Sequence, residues 1–287
     1  MTVNNSPPRR GIDAYGRSHR VELVTSAKNT RLKEIRKLAQ KSYRDETGLC
    51  LVEGIQPCLR AIENGHDVEL FIYSPEILRS EAALAMVSDL EKRNTSILRV
   101  SKDAFASLSL RDNPMGIALV AKMRPTALSQ VELRRGSILT ALFNVKSPGN
   151  LGTIVRTVDS IGGAGVVLVG QTADPYDPLC IKASVGTVFN VPIIKVASAD
   201  DFLTWCHSRQ VALITTSAQA KVDLAGAAFS YPCAVLMGSE GPGLPEDVLS
   251  AGRWSVRIPM YGQASSLNLA VATGIILYEV KKQQTCQ

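Results

Sequence analysis

The chain has 287 residues, 45% of them hydrophobic, and a formal net charge of +6. That is enough for one large or two modest globular domains, and no apolar run approaches the length that spans a bilayer. Six scattered cysteines (Cys50, Cys58, Cys180, Cys206, Cys233, Cys286) without a C-x-x-C pair, and three distant histidines (His19, His66, His207), give no support to a disulfide framework or a zinc cluster; reduced, inert thiols and no metal are expected. The opening residues are polar, contain Pro7, Pro8, Arg9 and Arg10, and lack the pattern of a secretory signal, so a cytoplasmic location is expected.

In chain order, residues 1–20 mix Pro, Gly, Arg and Asn without periodicity and read as a flexible basic arm. From Thr25 the pattern is regular: Leu32, Ile35 and Leu38 recur at helical spacing, and Lys33, Arg36, Lys37, Lys41 and Arg44 add a dense positive face. Such a face suits a polyanion and equally a solvated helix surface. Next come strand Leu49 to Val52, helix Ile55 to Glu63, strand Leu70 to Tyr73, helix Pro75 to Arg93, strand Ile97 to Val100 and strand Gly116 to Val120, a small α/β unit over residues 21–124. Residues 125–137 have little periodicity and read as a linker. A second α/β unit occupies residues 138–287. Its expected elements are strand Ile138 to Phe143, helix Asn150 to Ile161, strand Gly165 to Val169, helix Asp200 to Arg209, strand Val211 to Thr215, strand Ala234 to Met237 and helix Leu267 to Lys282. Strands separated by helices imply a mostly parallel sheet, whose ligands bind beyond the carboxyl ends of its strands.

Two segments fall at such ends, and a third leads into the last helix. After Phe143, Asn150 suits the N-cap of a helix whose buried face is Ile154, Val158 and Ile161, leaving Gly152, Arg156 and Asp159 on the other. After Met237, the loop Gly238-Ser239-Glu240-Gly241-Pro242-Gly243 opens its backbone to a ligand; it has neither the Gly-Lys-Ser/Thr of a phosphate loop nor the spacing of a dinucleotide fingerprint. Finally Ile258-Pro259-Met260 leads to Ser265-Ser266-Leu267-Asn268, where a serine can cap the last helix and Asn268 falls one turn inside it; Leu267, Val271, Ile275 and Tyr278 form that helix's apolar side.

The ordered series Asn150-x-Gly152-x-x-x-Arg156-Thr157, Gly238-Ser239-Glu240-Gly241-x-Gly243, and Ile258-Pro259-Met260 with Ser265-Ser266-Leu267-Asn268 resembles the three motifs of the SpoU/TrmH family of RNA ribose 2′-O-methyltransferases in the SPOUT superfamily. Leu51-Val52-Glu53-Gly54 and Gly116-Ile117 resemble landmarks of the family's small ribosomal-protein-like substrate-binding domain. The stretch Ala173 to Pro178 and the residues Ala264 to Asn268 are also similar to avilamycin-type resistance methyltransferases of 23S rRNA.

The resemblance implies an α/β fold with a mostly parallel sheet and a deep C-terminal trefoil knot, a homodimer with sites completed across its interface, and S-adenosylmethionine as cofactor. It implies that Met237, Gly238, Gly243, Ile258, Met260 and Leu267 hold the cofactor. Arg156 would face the target ribose, Asn150 and Glu240 would organise the site, and Ser266 and Asn268 would hold Arg156 or an RNA phosphate. A guanidinium is a poor base at neutral pH, so the role implied for Arg156 is to stabilise the forming alkoxide. Lys33, Arg36, Lys37, Lys41 and Arg44 would bind RNA. The implied substrate is 23S rRNA; transfer RNA, and a catalytically silent RNA-binding or assembly protein on the same fold, stay open as alternatives.

Overall fold

The structure, a computed structural model, describes residues 11–12, 18–19, 23–93 and 95–286. The basic arm expected over residues 1–20 lies outside these, apart from a two-residue antiparallel pairing of β1 (Gly11–Ile12) with β2 (Ser18–His19).

The amino-terminal sheet is built from β3 (Leu23–Val24), β4 (Leu49–Glu53), β5 (Val68–Tyr73), β6 (Ile97–Val100) and β7 (Ile117–Lys122), in the order β3-β6-β5-β7-β4. Its pairs are parallel from β3 through β5 and antiparallel where β7 meets β5 and β4. Leu32 and Ile35 of α1 (Thr30–Lys37) cover one face, and Cys58 and Ala61 of α3 (Ile55–Glu63) with Met86 and Leu90 of α4 (Glu81–Lys92) cover the other. Helix α4 starts at Glu81, later than expected, because the Ser80 hydroxyl caps it by accepting from the Ala83 amide at 3.4 Å. The basic periodic segment divides between α1 and α2 (Lys41–Thr47), and the reason is Arg44. Its Nη1 donates to the carbonyls of Leu38 and Ala39 at 2.8 and 2.9 Å, which occupies the turn where one continuous helix would have run. The short α5 (Lys102–Ala106) closes the unit beside α1.

The second sheet is wholly parallel. It contains β8 (Ile138–Phe143), β9 (Gly165–Val169), β10 (Ile193–Val196), β11 (Ala212–Thr216), β12 (Val222–Asp223), β13 (Cys233–Met237) and β14 (Trp254–Arg257), in the order β10-β9-β8-β13-β11-β14-β12. Strands β8, β9 and β13 are near-continuous apolar runs because helices cover both faces. Helices α6 (Pro148–Ser160), α7 (Pro178–Ala183) and α10 (Leu269–Thr285) pack on one face, and α8 (Ala199–Ser208) and α9 (Glu246–Ser250) on the other. Along α10 the buried positions are Ala270, Thr273, Ile276, Leu277 and Val280. Val271, Ile275 and Tyr278, on its expected apolar side, are 52%, 42% and 70% exposed.

Both units share one apolar cluster, which runs from Val52 and Phe71 to Phe189 and Val235. Polar fastenings reinforce the joint. Arg44, 1% exposed, donates from Nε and Nη2 to Asp174 Oδ2 at 3.0 and 2.7 Å. His66 Nε2 donates to the Phe189 carbonyl at 3.2 Å, and the Arg124 amide donates to the Tyr176 hydroxyl at 2.9 Å. Gly186 allows the closest approach: a Cβ there would lie 2.5 Å from Pro57 Cα. Five cysteines are buried and free, and Cys286 is free and exposed. Burial pushes the Cys50, Cys206 and Cys233 thiols up to about 12. No helix among the described residues is long and apolar enough to cross a membrane, and no group of three or more His, Cys, Asp or Glu among them is arranged to hold a metal.

Candidate active site

The carboxyl ends of β8, β13 and β14 each feed one motif segment, and the first two lie side by side because β13 pairs with β8. After β8, Ser147 caps α6: its hydroxyl accepts from the Asn150 amide at 3.2 Å, and Pro148 supplies the preset first-turn φ. The cap is therefore Ser147, where Asn150 was expected, and the Asn150 side chain is left free to reach outward.

It bridges the other two segments. Asn150 Nδ2 donates to Glu240 Oε1 at 3.1 Å, and Asn150 Oδ1 accepts from Asn268 Nδ2 at 3.1 Å. Asn268 is the cap of α10, one residue before the helix and not one turn within it; its Oδ1 accepts from the amides of Ala270 and Val271 at 2.9 and 3.4 Å. One chain of amide and carboxylate groups thus links all three motifs. Partial burial pushes the Glu240 carboxyl up, but hydrogen bonds from Asn150 Nδ2 and from the backbone amides of Glu240 itself, Lys146 and Ser147 outweigh it and hold the group below the usual carboxylate value. Glu240 is an anion at neutral pH, able only to accept, which fixes the orientation of the Asn150 amide.

Arg156 lies six residues further along α6, about 9 Å of helix rise. It is exposed, and among the described residues no ion pair or hydrogen bond holds its guanidinium. Ser266 is likewise exposed and without a hydrogen-bond partner among them, so the expected hold of Ser266 and Asn268 on Arg156 does not occur within one chain. Gly152, expected on the face opposite the buried one with Arg156, is itself buried and serves packing. A Cβ there would lie 2.4 Å from the Cys180 carbonyl oxygen and 2.8 Å from Ala183 Cβ, so the glycine lets α6 pack against α7.

The loop after β13 folds on itself. Ser239 bridges Gly243, whose φ is +74°, and a Cβ on Gly238 would lie 2.4 Å from the Gly243 carbonyl carbon. Gly238 is buried and serves the loop's own closure before any ligand. Met237 is also buried, in the core beneath the loop, and does not line an open surface. Ile258 packs partly against the core, Leu267 is half-buried, and Met260 is 37% exposed. Among the described residues the backbone of 258–267 makes no hydrogen bond at all, a run of open amides and carbonyls of the kind a polar ligand completes.

Beside Glu240 lies an open cleft of about 550 Å³. Phe143, Asn144, Lys146 and Gln171 line one side of it and the Ser239–Pro245 loop the other. The first four escaped sequence reasoning; their signal was position, since each lies at or just beyond the carboxyl end of β8 or β9.

The expected RNA-binding residues of the amino-terminal unit separate. Arg44 is the buried joint residue and leaves the set. Arg36 donates to Ser107 Oγ and the Ala27 carbonyl at 2.9 and 2.8 Å, tying α1 to α5. Lys37 pairs with Glu34 at 2.9 Å and Lys41 pairs with Asp45, both at the surface. Lys33 is exposed and unpaired among the described residues.

This architecture is shared with solved RNA-modifying methyltransferases. An AdoMet-bound rRNA methyltransferase from Sinorhizobium meliloti superposes with a TM-score of 0.83 at 34% identity, covering 91% of this chain and 97% of that one. The 23S rRNA (guanosine(2553)-2′-O)-methyltransferase RlmP of Bacillus subtilis is 30% identical over 90% of this chain and 98% of its own length. The 23S rRNA (uridine(2479)-2′-O)-methyltransferase of Streptomyces viridochromogenes is 29% identical over 86% and 87%. Residues 137–278 match the SpoU rRNA methylase family, and residues 29–119 match the MRM3-like substrate binding domain. The chain belongs to the SpoU rRNA methylase family.

Proposed function

We propose that this protein transfers a methyl group from S-adenosylmethionine to a ribose 2′-hydroxyl of 23S ribosomal RNA, acting as a homodimer. The observation that carries the reading is the Asn268–Asn150–Glu240 linkage, which ties three separate segments into one rigid site. The residues present fit the cofactor: the backbone of 258–267, which carries Met260 and Leu267 and is unpaired among the described residues, offers both donors and acceptors to a polar adenosyl and methionyl group. In this reading the carboxyl-terminal segment threads the knot of its family. Its support is that the chain leaves β14, near the edge of the sheet, and returns to Asn150 beside the central β8 to start α10.

When bound, the cofactor supplies an electrophilic methyl carbon. The chain's own residues must orient the acceptor hydroxyl and stabilise the alkoxide it becomes. Asn150, held at both ends of its amide, positions the start of α6, and Glu240 keeps that amide fixed through an ionised carboxylate. Arg156 is the cation for the alkoxide. Its exposure, beside an outward apolar stripe of α10 at Val271, Ile275 and Tyr278, supports a site completed by a second copy of the chain. The two helices meet where Gly274 faces Thr157, the residue after Arg156. Lys33, Lys37 and Lys41 offer charge to the RNA backbone.

The test is methyl transfer to purified ribosomal RNA, with the modified ribose mapped to a nucleotide, for the wild-type protein and Arg156→Ala. One methylated 23S ribose is expected for the wild type, and near-complete loss of transfer with cofactor binding preserved in calorimetry for the variant. Full turnover by the variant would remove Arg156 from the mechanism. Transfer confined to transfer RNA would overturn the substrate.

A further inference from the structure

We infer that the cleft beside Glu240 is a base-reading pocket that selects a keto base, uracil or guanine, at the nucleotide presented for methylation; this rests on the methyltransfer reading above. The volume, about 550 Å³, falls within the roughly 300–1,000 Å³ of small-molecule sites. Its walls combine an aromatic ring, Phe143, and two prolines, Pro242 and Pro245, with the amide side chains of Asn144 and Gln171 and the rim cation Lys146. Apolar faces to stack on, a few polar groups to read an edge and a cation for the phosphate are what an unstacked RNA nucleotide requires.

Asn144 is built into place. It stands at φ +52°, a conformation uncommon outside glycine. Two hydrogen bonds hold it there. Its amide donates to the Val169 carbonyl at 3.0 Å, and its Oδ1 accepts from the Gln171 amide at 2.8 Å. Gly170 leaves the room, since a Cβ at that position would lie 2.6 Å from Asn144 Oδ1. With Oδ1 engaged, the remaining polar group of Asn144 is the Nδ2 donor, unpaired among the described residues. The side-chain amide of Gln171 is also unpaired among them and can present its oxygen as an acceptor. A fixed donor beside an adjustable acceptor complements a carbonyl next to a ring N–H, the edge of uracil (O4, N3–H) and of guanine (O6, N1–H). Adenine and cytosine present the reverse order, an amine next to a bare ring nitrogen, and in the register that puts the exocyclic group at Asn144 would set donor against donor. Lys146 Nζ, exposed and without an ion pair among the described residues, would meet the phosphate of the same nucleotide.

Asn144→Asp keeps the Oδ1 acceptor for Gln171 and tolerates positive φ, but turns the donor into an acceptor. Gln171→Ala removes the second group from an exposed position. Two measurements decide. In NMR titrations with UMP, GMP, AMP and CMP, the side-chain amide signals of Asn144 and Gln171 should shift with UMP or GMP, and this response should vanish in Asn144→Asp. On ribosomal RNA, each variant should lower kcat/KM about ten- to a hundred-fold, the effect of losing one or two base-edge hydrogen bonds, with cofactor binding and Tm unchanged. Equal response to all four nucleotides, or variants with wild-type kcat/KM, would overturn the pocket. Wild-type protein that methylates no RNA would overturn the methyltransfer reading while the nucleotide titration still judges the cleft.

Discussion

Arg44 shows how far a side chain's partners outweigh its neighbours in sequence. Placed among lysines and arginines, it reads as one more surface cation; in the fold it is the most buried charge of the amino-terminal unit, satisfied by Asp174 and two carbonyls. Removing one partner of such a pair strands the other charge, at about 3–5 kcal/mol. Arg44→Ala should therefore lower the unfolding free energy by that order, whereas Lys33→Ala should leave it within about 0.5 kcal/mol; equal effects in equilibrium unfolding would contradict the buried role. At this scale the resemblance of the ordered motifs singled out Asn150, Glu240 and Asn268, which the fold brings into one hydrogen-bonded chain. What was illegible was which atom bonds which. Ser147 and Asn150 are both good caps, and only the packed turn reveals that the serine takes the helix and frees the asparagine.

Among elements, the two strongest signals were long apolar runs and helices of uniform period: β8, β9 and α3 have the bounds their residues suggest. Strands β10, β12 and β14, of four, two and four residues, are too short to announce themselves, yet they complete the sheet and set where the last segment crosses. The packing of α6 on α7 depends on a residue whose importance is an absence. Gly152→Ala would drive a methyl group into the Cys180 carbonyl, and overpacking of this kind costs roughly 1–3 kcal/mol. A fall in Tm is the expected result, in contrast to Gly262→Ala, where no atom lies within 4 Å of the added carbon. A Gly152→Ala protein as stable as the wild type would show that α7 can move aside freely.

For the whole molecule, the outward face of α10 separates two meanings of an apolar stripe. Val271, Ile275 and Tyr278 follow a core-like period but face away from their own sheet, and sequence periodicity cannot tell a buried face from one reserved for a second chain. Ile275→Glu should leave the monomer folded, shift the mass in light scattering from dimer to monomer, and abolish methyl transfer because Arg156 loses its partner copy. A fully active monomer would refute the shared site.

The joint at Arg44 has a last consequence. With Pro57 pressed on Gly186, His66 on the Phe189 carbonyl and Arg44 locked to Asp174, the separation between the cationic surface of α1 and the cleft beside Glu240 is constant. If both surfaces take RNA as proposed, the protein would act as a caliper: an RNA would be accepted when its own folded span matches a preset opening, and length between two contact points would become a criterion of choice alongside the identity of any base.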